Sequence, residues 1–345
     1  MTDSLSYAKS GVDIDITDAV KRKMTDTIDY GDKRVLNRIG AFGSLVEGRF
    51  ENYKHPILVL KTEEPGSKQK LAFQYGRVSS IAYDLIHHLI NDIIVMGADP
   101  IYVQDCIICG KIDPDVVNTL VSSMAEACRN QGCVLTGGET SVQPGVVANG
   151  VYVLTACGIG VVEKDNIIDG SRIEEGDTVF AVASNGLHTN GYTLIRSLLE
   201  QKPELVDRNV NDETFLDAIL RPHKCYYEAV KDLFNHPGLK GLAHITGGGI
   251  QGNLNRILPD SLDAVIDLHS IRIPRIFDII RNEGNVPDND MLRTFNMGVG
   301  LTVVSSPDSL EGISSHLQNN SCECYEIGRI VNGSKKVAFE GSLAW

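Results

Sequence analysis

The stretch AYDLIHHLINDIIVMGADPIYVQDCIIC, residues 82–109, reads as a helix running into a strand, and that pairing sets the fold class. At about 100° per residue, Leu85, Ile86, Leu89, Ile90, Ile93 and Ile94 share one broad apolar face. Asp84, His88 and Asn91 form a narrow stripe opposite, with Asp92 at its edge. The helix is expected over 81–97. PIYVQDCIIC behind it has the apolar, β-rich character of a strand.

The same alternation extends both ways. Upstream, residues 18–30 read as a short helix begun by Asp18, and ILVLKT (57–62) as a buried strand. Downstream come a helix over 114–131 opened by Pro114, the strand CVLTGGE ending in a glycine turn, and a long strand over 149–163. GSRIEEGD (170–177) is the most turn-rich stretch and marks a boundary between domains 1–169 and 170–345. DTVFAVAS then opens a second series. It holds LAHIT, a helix from about 250, LDAVIDL, a helix over 275–283, GVGLTVVSS, a helix over 307–318 and strands near CYEIGRIV and KVAFEG. The expected fold class is α/β (α+β), with two mixed α/β domains.

Composition narrows the function. The chain has 345 residues, 42% hydrophobic and 22% charged, with a formal net charge of −13. That charge disfavours nucleic acid, although an acidic protein still binds small phosphorylated ligands through backbone N–H groups or Mg²⁺. No apolar run reaches the roughly 18–20 residues that span a bilayer, and no signal peptide is evident, so a cytoplasmic protein is expected. Cys106-Ile-Ile-Cys109 has CxxC form, but on a strand residues three apart face opposite ways. Neither a zinc site nor disulfides are expected from the eight cysteines, and the histidines show no metal spacing.

Two glycine clusters follow strands: Gly137-Gly138-Glu139-Thr140, and Thr246-Gly247-Gly248-Gly249, which also precedes a helix. Each is either a tight turn or a phosphate cradle. Gly247-x-Gly249-x-x-Gly252 matches the dinucleotide fingerprint formally, but it stands late in the chain with no run of βα units behind it. No P-loop motif occurs. The stripe beside Asp92 carries no Lys or Arg, so it is either a solvated face or a Mg²⁺ platform. Glu63 and Glu139 end strands, and carboxylates at strand ends can share a site with Asp92. His188, at an expected helix start, is either part of a cap made by Thr189 or Asn190, or a general base or phosphate ligand.

Taken together and in order, SYAKSGVDID, HHLINDIIVMGADP, DCIICGKID, GGET, GVVEKDNIIDGS, GLHTNGYTLIR, HITGGGIQGNLNRILP and RTFNMGVGL resemble the aminoimidazole ribonucleotide synthetase family, the phosphoribosylformylglycinamidine cyclo-ligases. The resemblance implies a homodimer whose N-terminal domains pair into a β-barrel. It also implies ATP, Mg²⁺ and formylglycinamidine ribonucleotide as ligands. By motif position it implies His188 and Asp92 as catalytic residues and Glu63, Asp92 and Glu139 as metal ligands. Glu63, Lys68, Asn91, Asp105, Gly138, Glu139, Asn190, Thr246, Gly247, Gly248, Gly249, Thr294 and Asn296 are the implied nucleotide and substrate positions, with Arg293 beside them in the RTFN motif. Two alternatives stay open: a related ATP-using enzyme acting on another amide or phosphorylated substrate, and a non-catalytic nucleotide-binding paralogue. Three loops depart from the family pattern. Residues 62–68 read TEEPGSK for TDGVGTK, residues 37–43 read NRIGAFG for GGxGGFG, and residues 143–146 read QPGV for MPGM.

Overall fold

A computed structural model of the chain describes Gly11 and residues 14–28, 31–37 and 41–345. The first part of SYAKSGVDID, the last two positions of the helix expected over 18–30 and the middle of NRIGAFG lie outside the described residues. The chain forms two compact units, residues 1–90 with 100–161, and residues 91–99 with 162–345.

The first elements are α1 (Ile14–Ile28), β1 (Pro56–Glu63), α2 (Lys68–Gln74), α3 (Val78–Ile94), β2 (Asp99–Cys109), α4 (Pro114–Asn130), β3 (Val134–Val142) and β4 (Tyr152–Glu163). Helix α1 begins before Asp18, because Asp15 already supplies the acid of its first turn. Helix α4 begins as expected at Pro114. The Asp113 carboxylate accepts from the Asp115 and Val116 N–H groups at 3.0 and 3.3 Å. The sheet order is β1-β4-β2-β3, with β2 and β3 parallel. These strands form an open sheet within the chain, not a closed barrel.

Two local expectations are corrected here. ILVLKT is not buried: β1 alternates between exposed and half-buried positions, with Leu58 51% and Leu60 68% exposed. The GGET segment is not a turn either, for it lies inside β3 just past a register shift. Gly138 belongs there because β3 runs close to β2. A Cβ on Gly138 would stand 2.2 Å from the Asp105 carbonyl oxygen.

The second unit contains β5 (Thr178–Ala183), α5 (Tyr192–Gln201), β6 (Asn209–Val210), β7 (Glu213–Thr214), α6 (Phe215–Leu220), α7 (Tyr227–Val230), β8 (Leu239–His244), α8 (Gly249–Leu254) and β9 (Leu262–Asp267). It continues with α9 (Arg275–Gly284), α10 (Asp288–Thr294), β10 (Val299–Ser305), α11 (Leu310–Asn319), β11 (Cys324–Asn332) and β12 (Val337–Glu340). Six strands pair in the order β12-β9-β11-β5-β10-β8, antiparallel apart from β12 on β9. Strand β10 lies between β5 and β8, and all seven of its residues are buried. No helix among the described residues is long and apolar enough to cross a membrane. None of the eight cysteines is joined in a disulfide.

Candidate functional site

In the N-terminal unit, the polar stripe of α3 is not a solvated face. Asp84 is fully buried, and the Lys68 ammonium lies 2.8 Å from each of its carboxylate oxygens. Burial pulls the Lys68 pKa down, and the Asp84 charge opposes it. The compensating cation, absent from the helix itself, comes from the start of α2, sixteen residues upstream. One turn on, His88 Nε2 stands 3.2 Å from Glu63 Oε1, while Lys61 Nζ approaches Glu63 Oε2 at 3.8 Å. Glu63 thus closes β1 held between two basic groups.

Across the paired strands, Gly138 faces Asp105 and Glu139 faces Cys106 in register. Glu139 is exposed, whereas Asp105 is buried and its Oδ2 has no hydrogen-bond partner among the described residues. Burial raises the Asp105 pKa to about 7; a backbone hydrogen bond lowers it and the Glu139 charge adds to the rise. A cavity of about 370 Å³ in this unit is lined by Phe73, Lys111, Asp113 and Tyr152, among others, and by none of the residues implied by the motifs.

In the C-terminal unit the motif residues converge around three buried histidines. Asp92 Oδ1 lies 2.7 Å from Nδ1 of His244, the last residue of β8. His244 Nε2 meets His223 Nε2 at 3.0 Å, and His223 Nδ1 lies 3.4 Å from Thr189 Oγ1. The His188 ring stacks on His223 with centroids 3.9 Å apart and planes 20° apart. His188 itself sits in the left-handed region, at φ 60°. The neighbouring Asn91 fixes the segment carrying His223. Its side-chain amide accepts from Tyr226 N–H at 3.0 Å and donates to the Lys224 carbonyl at 2.8 Å.

The capping role considered for Thr189 or Asn190 does not hold. Helix α5 starts at Tyr192 with Gly191 as its N-cap, at φ 82°, and no side chain caps it. Glycine is required at 191, since a Cβ would stand 2.1 Å from Phe295 Cε1. Asn296 binds the same segment from the other side, donating to the Gly186 carbonyl at 2.9 Å and accepting from Gly298 N–H at 2.9 Å. GLHTNGY and RTFN are therefore one packed assembly, with Arg293 and Thr294 closing α10 beside it.

The Thr246–Gly249 turn does lead from strand to helix, as expected. Its left-handed glycines are Gly248 (φ 94°) and Gly249 (φ 61°), and a Cβ on Gly249 would meet the Leu292 carbonyl oxygen at 1.9 Å. Asn253 Nδ2 holds the turn by donating to the Gly247 and Gly249 carbonyls at 3.2 and 2.9 Å. Beside it, Asn190 Oδ1 lies 3.2 Å from where a Gly247 Cβ would be. The Asn190 Nδ2 is buried with no hydrogen-bond partner among the described residues.

His223 and His244 were not singled out from the sequence, where the histidines show no metal spacing, yet the fold brings them together with His188. One ligand-capable nitrogen from each of His188, His223 and His244 lies within 4.8 Å of the others. No spacing rule reaches across the loops that separate them.

Comparison with known proteins agrees with the motifs. The family described as AIR synthase related protein, N-terminal domain, matches residues 54–162, and its C-terminal domain matches residues 174–340. A phosphoribosylformylglycinamidine cyclo-ligase from Chromobacterium violaceum is 41% identical over 335 residues, covering 95% of this chain and 96% of its own. One from Nitrosospira multiformis is 38% identical, covering 94% and 93%. Among solved structures, thiamine-monophosphate kinase from Stenotrophomonas maltophilia superposes with a TM-score of 0.66 at 17% identity, covering 95% and 96%. Hydrogenase maturation protein HypE in complex with ATP superposes with a TM-score of 0.66 at 18% identity, covering 94% and 90%. At such identities the last two share the fold.

Proposed function

The chain belongs to the AIR synthase family, and on that premise we propose that it is an ATP-dependent phosphoribosylformylglycinamidine cyclo-ligase of purine biosynthesis. The formyl amide oxygen of formylglycinamidine ribonucleotide attacks the γ-phosphorus of ATP, and ADP leaves. The amidine nitrogen then attacks the activated carbon, phosphate departs with that oxygen, and loss of a proton leaves aminoimidazole ribonucleotide. The protein must neutralise shifting polyphosphate charge and hold nitrogen against carbon.

The near-full-length likeness to the cyclo-ligases carries this reading. His188 is the proposed proton-transfer group and Asn190 an amide donor to substrate, beside Thr246, Gly247, Gly248 and Gly249. Thr294 and Asn296 shape that region; Asn296 acts through the Gly186 carbonyl it holds. Mg²⁺ supplies charge neutralisation at the phosphates. Its proposed ligands are Glu63, Asp92 and Glu139. Asp92 would use its second oxygen, because His244 holds the first. Lys68 and Asn91 act from within the protein, and Asp105 backs the strand that carries Gly138 and Glu139.

The proposed domains are 1–169 and 170–345, and the proposed location is the cytoplasm. The proposed homodimer forms on the bare face of the four-stranded sheet, where Leu58, Leu60 and Val153 stand exposed. The deciding assay incubates purified protein with ATP, Mg²⁺ and formylglycinamidine ribonucleotide. One ADP per ring closed is expected, and none without the substrate. Release of ADP without it would instead favour an ATP-using relative with another substrate, a reading that the altered TEEPGSK loop invites.

A further inference from the structure

We propose that His188, His223 and His244 form a binding site for a borderline-soft divalent cation of the zinc type, distinct from the oxygen-ligated Mg²⁺ of the reaction. Imidazole nitrogens favour such ions, whereas Mg²⁺ takes oxygen. The three rings are all buried, and one nitrogen of each falls within 4.8 Å of the others.

The orientation of two rings strengthens the case. The Asp92 carboxylate lies 2.7 Å from His244 Nδ1, which fixes that nitrogen as the protonated one and turns Nε2 inward. The Thr189 hydroxyl meets His223 Nδ1 at 3.4 Å and leaves its Nε2 facing the same point. The two Nε2 atoms stand 3.0 Å apart. In the ion-free protein one of them carries a proton and donates it to the other in an ordinary N–H···N hydrogen bond, so both nitrogens already point at one position. A metal ion replaces that proton, which leaves to solvent. Tetrahedral zinc, with Zn–N bonds of about 2.0–2.1 Å, sets its nitrogens about 3.3 Å apart, so the gap opens only slightly. His188, now flat against His223, supplies the third nitrogen by side-chain rotation, and the fourth position stays open to water or substrate.

On the proposed function, an ion here takes His188 out of proton transfer and inhibits ring closure; this inhibitory role rests on that function, while the binding site does not. The test uses the full chain, stripped with chelator and titrated with Co²⁺ in excess Mg²⁺. The strong visible absorption of four-coordinate Co²⁺ is expected, saturating at one ion per chain and displaced by Zn²⁺. His223→Asn should weaken binding by more than about tenfold, while His269→Asn, an exposed histidine elsewhere, should leave it unchanged. The pale spectrum of six-coordinate Co²⁺, or equal affinity in the His223 variant, would overturn the site. Should His223→Asn not fold, X-ray absorption of the Zn²⁺-loaded wild-type chain decides: three imidazoles support the site, and two or fewer refute it. Ring closure unaffected at full occupancy would remove the inhibitory role. A chain that binds Co²⁺ this way yet never closes the ring would remove the function and leave the site.

Discussion

Strands β1 and β10 look alike as sequence and differ completely as structure. ILVLKT and GVGLTVVSS are both apolar, β-branched runs. In β10, flanked by strands on both sides, every residue is buried. In β1, at the edge of its sheet, alternate residues are bare. The difference teaches that an apolar run specifies a strand and leaves open how many of its faces are covered. Coverage depends on what packs against the sheet, which is non-local. An apolar face left bare by one chain is the surface a second copy can cover.

The largest expected effect separates the two strands by truncation. Leu301→Ala, in the middle of β10, should cost about 2–5 kcal/mol, because it leaves a cavity in a sealed interior. That cost should not depend on protein concentration. Leu60→Ala should cost under about 0.5 kcal/mol in dilute protein, as at an ordinary surface position. Its cost should grow with concentration as dimers form. Chemical denaturation of both variants at two protein concentrations checks this; equal, concentration-independent costs would erase the contrast between the strands.

A somewhat smaller effect addresses the bare face directly. Leu60→Glu puts a charge where the proposed dimer buries a leucine. It should weaken dimerisation by at least about 2 kcal/mol, roughly thirtyfold in dissociation constant. Sedimentation equilibrium of wild type and variant reads it. A wild-type chain that stays monomeric, or a variant that dimerises as well, would show that this face is not the contact.

The elements themselves were largely legible. Helix α4 announces its start through Asp113 and Pro114, and α3 shows its apolar face by period alone. The glycine turn at 246–249 was legible because strand, glycines and helix stand side by side in the chain. What stayed hidden needed partners from elsewhere. The α3 stripe looked uncompensated, yet Lys68 neutralises Asp84 from another helix. GGET looked like a turn, but the close approach of Asp105 on the neighbouring strand sets its glycine. The imidazole cluster assembles from three separate stretches of chain; His188 and His244 stand in different motifs, His223 in none, and no spacing links them. Local period and punctuation reveal elements, whereas charge pairing and ligand sets arise only after folding.

The smallest effect, taken per pH unit, tests the other face of the same four-stranded sheet. Asp105 shares the covered side of β2 with Val103 and Ile107, and burial holds its acid to about 7 against an ordinary 3.8. Between those values the folded chain keeps a proton that the unfolded chain has lost. Stability therefore falls as pH rises through this window and levels off above it. One group contributes at most about 1.4 kcal/mol per pH unit. Asp105→Asn keeps the shape and removes the titration. Subtracting its urea-unfolding free energies from those of wild type, from about pH 4 to about pH 8, should give a difference that declines with pH. A flat difference would mean that water reaches Asp105, and the covered face of this sheet would then be no better sealed than the bare one.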